Sequence, residues 1–376
     1  MSSYDIILSE DTVRMVLQYK TDLQTNTKEA GNYLKSQLSS LPNKELSLGE
    51  ETSGRFLQML MSTKEYRCNS DTSVRGDGSD WNETEFKILG EISIAMKVQV
   101  FDNGVWKIND NAFKVHDPPM TAHLLYTQGP LLIGKRFEGT TPDFEAISKD
   151  GKINQENYND LMKKRLLPIF IYAEETAKKE NKKALIVIPG LGCGVYAKEY
   201  KGQMGEYLQN ALRSVIKDLP PCEHIACVRY DPYNECEDCE EIINSVTFRL
   251  RKYTGSQGRP QLSRVEDFEE TKGEFENCVL YKVVACDHVS FPGNNYFLGV
   301  RKSDDGVTAA ATNTMEVLTG KKGRYSQGHY LAPEGNRKWL TVAFHNETKL
   351  VVDGNIKVVT ESGKLMDLRL LSKYIY

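Results

Sequence analysis

Residues 184–216 read ALIVIPGLGCGVYAKEYKGQMGEYLQNALRSVI, and the fold turns on how they are read. Ala184 to Ile188 is a short, apolar, β-branched run, the pattern of a strand buried on both faces. The chain then turns through Pro189-Gly190-Leu191-Gly192-Cys193-Gly194. Beyond it Met204, Leu208, Ala211, Leu212 and Val215 recur at the spacing of one helical face. A strand, a glycine loop and a helix bring bare backbone N–H groups to a helix N-terminus, where an anion, usually phosphate, is held. Glycine there allows positive φ and close approach of a ligand to the backbone. No Gly-Lys-Ser/Thr follows and the spacing is not G-x-G-x-x-G, so this is neither a Walker loop nor a dinucleotide fingerprint. Two readings stay open: an anion site, or a tight turn that needs glycine only for packing.

Working outward, strands are predicted at Ile92–Phe101, His123–Tyr126, Ile225–Arg229 and Val279–Cys286, with a turn at Asp102-Asn103-Gly104. A long helix is predicted over 155–180, bent or restarted at Pro168, and another over 306–318 on the face Val307, Ala311, Met315, Leu318. Strands alternating with helices through 92–318 predict an α/β fold, a mostly parallel sheet sandwiched between helices. Residues 1–65 read as helical, with segments near 11–19, 26–40 and 51–62, Asp11 as the first N-cap and a break at Pro42-Asn43. The end, 338–360, reads as a hairpin meander. The expected organisation is a helical N-terminal lobe (1–85), a core (86–330) with a polar insertion near 251–276, and a C-terminal β-hairpin extension (331–376).

The chain has 376 residues and a net charge of −4, which offers no electrostatic reason to expect nucleic acid or an anionic membrane as partner. No apolar run approaches the ~20 residues that cross a bilayer, and MSSYDIILSEDTV lacks the basic and apolar regions of a signal peptide. The expected setting is cytoplasmic, with the eight cysteines as thiols. Cys222, Cys227, Cys236 and Cys239 contain a single CxxC, too little for a zinc site. No metal and no cofactor are expected. Ser290 has no G-x-S-x-G elbow around it, which argues against a serine hydrolase.

A second stretch, VVACDHVSFPGNNYFLGVRKSDDGVTAAATNTM (283–315), concentrates polar groups at a strand end and a helix start. Both fall at the C-terminal edge of a parallel sheet, where open α/β folds bind ligands. Taken singly, Asp304 or Asp305 reads as a helix N-cap, Asp287 as a turn former and His288 as structural. Arg301 reads as a solvated loop arginine or as the partner of a carboxylate or phosphate.

IPGLGCGVYAKEY (188–200) resembles the phosphate-binding loop of macrodomains, and GCGV at 192–195 is close to that loop in their poly(ADP-ribose) glycohydrolase branch. The order Asp287, Ser290-Phe291-Pro292-Gly293-Asn294, Gly299, Arg301, Asp304-Asp305-Gly306 and an alanine-rich helix resembles the active-site segment of the MavL-type effector macrodomains. Those are hydrolases that remove ADP-ribose from an arginine of ubiquitin. The likeness spans about 90–320 and implies a macrodomain-like core.

By that resemblance Gly190, Gly192, Cys193, Gly194, Val195 and Tyr196 contact ADP-ribose, with Cys193 a small loop residue and not a nucleophile. Asn294, Asp304 and Arg301 are further ligand contacts. The family's three acidic positions map to Asp287, Asn295 and Asp305 as catalytic residues. Asn295 departs from the pattern, since an amide holds a hydroxyl but is neither acid nor base. The implied partners are ADP-ribose and an ADP-ribosylated protein, with ubiquitin the family's example, and the implied place for a secreted effector is the host cytosol. The GGG…QEE signature of polymer-degrading enzymes is absent, so poly(ADP-ribose) chains are not the expected substrate. A non-catalytic ADP-ribose reader is the alternative, and a scaffold with a vestigial loop is a third.

Overall fold

The apolar run at 184–188 lies inside a strand, Lys183–Pro189, whose side chains are buried from Ala184 onward. This computed structural model describes residues 4–39, 53–64, 76–109, 111–132, 140–232, 234–251, 260–288, 293, 296–339, 342 and 355–371. In chain order the strands are β1 (Tyr4–Ser9), β2 (Ser93–Asp102), β3 (Val115–Gln128), β4 (Ser148–Lys149), β5 (Lys152–Ile153), β6 (Lys183–Pro189) and β7 (Ile225–Asp231). There follow β8 (Cys239–Ile243), β9 (Val246–Leu250), β10 (Cys278–Cys286), β11 (Arg324–Ser326), β12 (His329–Leu331), β13 (Ile356–Val359) and β14 (Leu365–Asp367). The α-helices are α1 (Glu10–Gln24), α2 (Asn32–Leu38), α3 (Ser53–Met61), α4 (Glu83–Glu91), α5 (Pro142–Ile147), α6 (Gln155–Lys179), α7 (Met204–Lys217), α8 (Asp304–Ala311) and α9 (Thr314–Thr319).

Ten strands form one sheet in the order β14-β13-β1-β2-β3-β10-β6-β7-β9-β8. Neighbours pair in parallel from β3 through β10, β6 and β7 to β9, and β1 is parallel to β13. Only β2, β8 and β14 run against the rest. The mostly parallel sheet between helices is therefore as the alternation of elements predicts.

Because successive strand residues point to opposite faces, the sheet builds two cores. Ile186, Ile188, Val228, Tyr230, Tyr281 and Val283 face α6 and α7. Leu185, Val187, Leu280, Val284, Leu124 and Tyr126 face the other way, toward α1–α4, α8 and α9. Helix α7 buries the expected stripe Met204, Leu208, Ala211, Leu212 and Val215. Pro168 does not restart α6, which runs unbroken over 25 residues. Burial of Ile169, Phe170 and Ala173 against the sheet outweighs the hydrogen bond that proline removes.

The N-terminal stretch differs from its all-helical reading. Tyr4–Ser9 is a strand that pairs with β2 and β13, and Ser9, not Asp11, caps α1. Tyr19 of α1 donates to Glu85 Oε1 at 2.6 Å, and the same carboxylate accepts from the amides of Gly31 and Asn82. Asn82 and Glu85 form a capping box at the start of α4. Pro42-Asn43 lies outside the described residues. So does most of the 338–360 meander; its last strand, β13, joins the main sheet. In the polar 251–276 stretch, Leu262, Phe268 and Phe275 are buried against that sheet. The helix expected over 306–318 is two, α8 and α9, joined at Thr312-Asn313.

Candidate functional site

Three adjacent parallel strands, β3, β10 and β6, end at one edge, and the chain leaves them through Gly129, Asp287 and Gly190. The first and third of these loops lie against each other. A side chain on Gly129 would strike the backbone of Leu191 and Gly192, and one on Gly192 (φ +72°) would strike Pro130. Leu132 N donates to Tyr196 O at 3.0 Å, which ties the far end of the glycine loop to the same neighbour.

Gly192 therefore serves packing, while the tip beyond it is open. Gly194 and Val195 are exposed, nothing lies within 4 Å of a side chain built on Gly194, and both amides lack a partner among the described residues. The loop does not run straight into α7. Val195–Tyr200 forms a 3₁₀ segment and α7 starts at Met204. The donors offered to an anion are thus loop amides, and the expectation that the α7 N-terminus supplies them is corrected.

Tyr196 Oη donates to Asp287 Oδ1, joining the glycine loop to the end of β10. Opposite stands Asp305, in the first turn of α8 and 6% exposed. Ser303, not either aspartate, caps α8: its Oγ accepts from Gly306 N at 3.4 Å and donates to Asp305 Oδ1. Gly293 packs directly over the Asp305 carboxylate, where a β-carbon would clash. Burial, and then the charge of Asp287, push the Asp305 carboxyl up to about 7. The Asp287 and Asp305 side chains thus act on one another at the sheet edge that also carries the open loop amides.

A family model described as the macrodomain effector MavL matches residues 4–336. The chain belongs to the MavL family of macrodomain effectors. No curated protein matches it. MavL-family membership supports an ADP-ribose-related macrodomain function.

Within this MavL-family site the expected residues separate into two groups. Asp287, Asp305, Gly194, Val195 and Tyr196 gather at the open edge. Cys193 is buried among apolar side chains, and burial pushes its thiol well above the ordinary range, so it is no nucleophile. Asp304 turns away: its carboxylate accepts from Lys282 Nζ at 3.0 and 3.1 Å and from Ala285 N at 2.9 Å. Arg301 is likewise engaged by other parts of the chain. Its guanidinium is buried and donates to Asp102, to Val105 O and to Gly328 O, which uses Nε and both Nη atoms. Asn294 and Asn295 lie outside the described residues.

Arg165 and Asp143 escaped the sequence reading, whereas His288 was read as structural. Arg165 of α6 donates to Asp143 Oδ1 at 2.7 Å and to Gly129 O at 3.0 Å, and Asp143 Oδ2 accepts from Leu131 N at 2.8 Å. Burial would raise Asp143, but the charges of Arg165 and His288 and the bonds they make together outweigh it and hold the carboxyl below the usual range. His288 stacks on Phe86 with ring centroids 4.9 Å apart, its Nε2 3.1 Å from Asp143 Oδ2 without hydrogen-bonding alignment. This buried group braces the β3 loop from beneath. Its signal was a charge on an apolar stripe, since Arg165 sits among Tyr158, Met162 and Ile169. Lys282 carries the same signal inside β10. Lys64, close to the Asp287 end of β10, carried none.

Proposed function

We propose that the protein is an ADP-ribosyl hydrolase that releases ADP-ribose from a modified arginine side chain, with ubiquitin as the modified protein and the host cytosol as the place of action. The observation that carries this reading is the buried Asp305 carboxyl, acted on by Asp287, at the sheet edge that also carries the open amides of Gly194 and Val195. The MavL-family match and the likeness of 283–315 to that family's active-site segment support the substrate class.

In this reading the loop amides hold the diphosphate. Asp287, fixed by Tyr196, orients the distal ribose, and Asp305 is the general base, its proton affinity near the value that suits proton transfer at neutral pH. A water oxygen bonds to ribose C1″ as the C1″–N bond breaks through an oxocarbenium-like state, as in glycoside hydrolysis. The bonding pair leaves with the guanidine nitrogen. Asp305 takes the water's proton and passes it on, so that arginine departs as guanidinium. An anionic edge also suits a cationic guanidinium substrate.

The test is incubation with arginine-ADP-ribosylated ubiquitin and mass spectrometry for loss of the modification; full removal is expected. Intact modification together with ADP-ribose binding by calorimetry overturns the enzyme and favours a reader. Asn295 in place of the family's middle carboxylate is the residue that keeps the reader as second reading.

A further inference from the structure

Beside α6 lies a cavity of about 760 Å³, bounded by the start of α1, the middle of α6, the chain after α7 and the β13–β14 turn. Its floor is apolar: Leu167, Ile171, Leu219 and Val359 line it, and the last three are at most 5% exposed. Its rim is acidic. Glu10, Asp11, Asp160, Asp218 and Glu361 stand there against two lysines, Lys163 and Lys164. Arg14 reaches Glu10, Asp11 and Glu361, Lys163 reaches Asp218 at 2.6 Å, and Lys164 lies 3.8 Å from Glu91. Negative charge stays in excess, and Asp160, exposed on α6, has no partner among the described residues. Pro168 supplies no N–H to the carbonyl of Lys164, and both residues line the cavity, so the helical ladder lacks its donor on this wall.

The cavity lies at the same edge of the sheet as the candidate site. β1 and β3 are both antiparallel to β2 and so run the same way; Ser9, which ends β1, lines the cavity, and Gly129 follows the end of β3. Two strand spacings, roughly 10 Å, separate those ends. About three extended residues cover that distance. Consecutive residues of α6 serve the two places: Lys164 lines the cavity, and Arg165 donates to Gly129 O. An apolar floor under an acidic rim is complementary to an extended segment that mixes apolar and cationic side chains. A second copy of this chain, with its net charge of −4, would set acidic rim against acidic rim.

We infer that this cavity docks a basic, partly apolar segment of the protein that carries the modification, two strands from where its ADP-ribose is held. In assigning the segment to the modified protein the inference rests on the hydrolase reading above; the chemistry of the groove does not.

The test combines Asp160→Lys with Ser362→Lys in the full chain, one on α6 and one in the β13–β14 turn, both exposed and lining the cavity. The probes are a capped hexapeptide that alternates arginine with leucine and its counterpart that alternates glutamate with leucine. In calorimetry the basic peptide is expected to bind the wild type and the acidic one not, and the double variant should bind the basic peptide about 10-fold more weakly. Unchanged binding in the double variant, or equal binding of the acidic peptide, overturns the inference. So does a dimer in sedimentation that the double variant dissociates, because the occupant is then a second copy. In kinetics the double variant should raise KM for arginine-ADP-ribosylated ubiquitin about 10-fold with kcat nearly unchanged, and leave hydrolysis of free ADP-ribosyl-arginine as in wild type. An equal change for both substrates, or for neither, overturns the assignment of the segment to the substrate. If the wild type turns over neither substrate the function reading sinks, and peptide binding still decides the groove.

Discussion

In β6, β7, β9 and β10 the buried residues that face α6 and α7 include Ala184, Ile186, Ile188, Val228, Tyr230, Val246, Phe248, Leu250, Tyr281 and Val283, none of them charged. On the opposite face the same strands admit Arg229, Arg249 and Lys282, each at most 4% exposed. Arg249 is matched by Glu240 at 2.7 Å and Glu274 at 2.6 Å, and Lys282 by Asp304. Arg229 is matched loosely, its Nε 3.8 Å from Asp231, which burial raises to about 7. The two faces have equal burial but different purposes. The apolar face holds the fold, and the charged face carries its ion pairs toward the edge where Asp287 and Asp305 meet. A core that keeps ions costs stability relative to an apolar one, and here that cost falls beside the site.

The sharpest way to break the contrast is Asp305→Asn. Hydrolysis should fall by about 10²–10⁴-fold while ADP-ribose binding measured by calorimetry survives. The same variant tests linkage. Asp305 holds a proton in the folded chain up to about 7, where the unfolded chain has released it, so its contribution to stability is greatest at low pH and fades as pH rises toward 7. Asp305→Asn should then melt above wild type at pH 8, with the gain shrinking toward pH 4. Equal melting shifts at both pH values would show that the raised proton affinity is absent.

Next comes Arg165→Met, which strands the buried Asp143 carboxylate. A loss of about 3–5 kcal/mol is expected in urea unfolding, as for other broken buried pairs. ADP-ribose affinity should weaken with it, since Gly129 loses its brace.

A paired comparison sharpens the two faces directly. Leu208→Ala under the apolar face should cost about 2–5 kcal/mol, because a fully buried side chain leaves a cavity. Lys282→Met under the charged face should cost only about 1–3 kcal/mol. The Asp304 side chain it abandons is 21% exposed and keeps its bond from Ala285 N. A larger loss for Lys282→Met than for Leu208→Ala would reverse the roles assigned to the faces.

The smallest effect on stability belongs to Gly194→Ala. Nothing lies near the added methyl group, so unfolding should be unchanged within about 0.5 kcal/mol. ADP-ribose affinity should nevertheless drop in calorimetry, because the methyl group occupies the space left for the ligand.

The strands at 184–188, 225–229 and 279–286 were legible because a strand buried on both faces must be a continuous apolar run with few alternatives. The strand Tyr4–Ser9 was not. Six residues next to a helix cap carry too little pattern to separate strand from helix, and its partners lie about ninety and three hundred and fifty residues away. At the site, the glycine loop and Asp287 were legible as polar punctuation after buried strands. The division of labour between Asp304 and Asp305 was not, because each reads alone as a cap and only Ser303 caps. For Arg301 the sequence left a carboxylate, a phosphate or solvent open, because its carboxylate partner, Asp102, lies 199 residues earlier.

The sequence by itself determined the buried strands at 184–188, 225–229 and 279–286, the long helix over 155–180, the buried stripe of α7, and that chemistry-bearing side chains follow β6 and β10. Periodicity and turn chemistry are local, and a run of ten residues states them in full. Tertiary structure alone decided which charge faces which. It set Asp304 against Lys282, Asp305 against Asp287 and Ser303, Arg165 under Gly129, and Lys64 beside the end of β10. Those pairings depend on burial and on the meeting of distant segments, and burial is what gives two neighbouring aspartates different proton affinities.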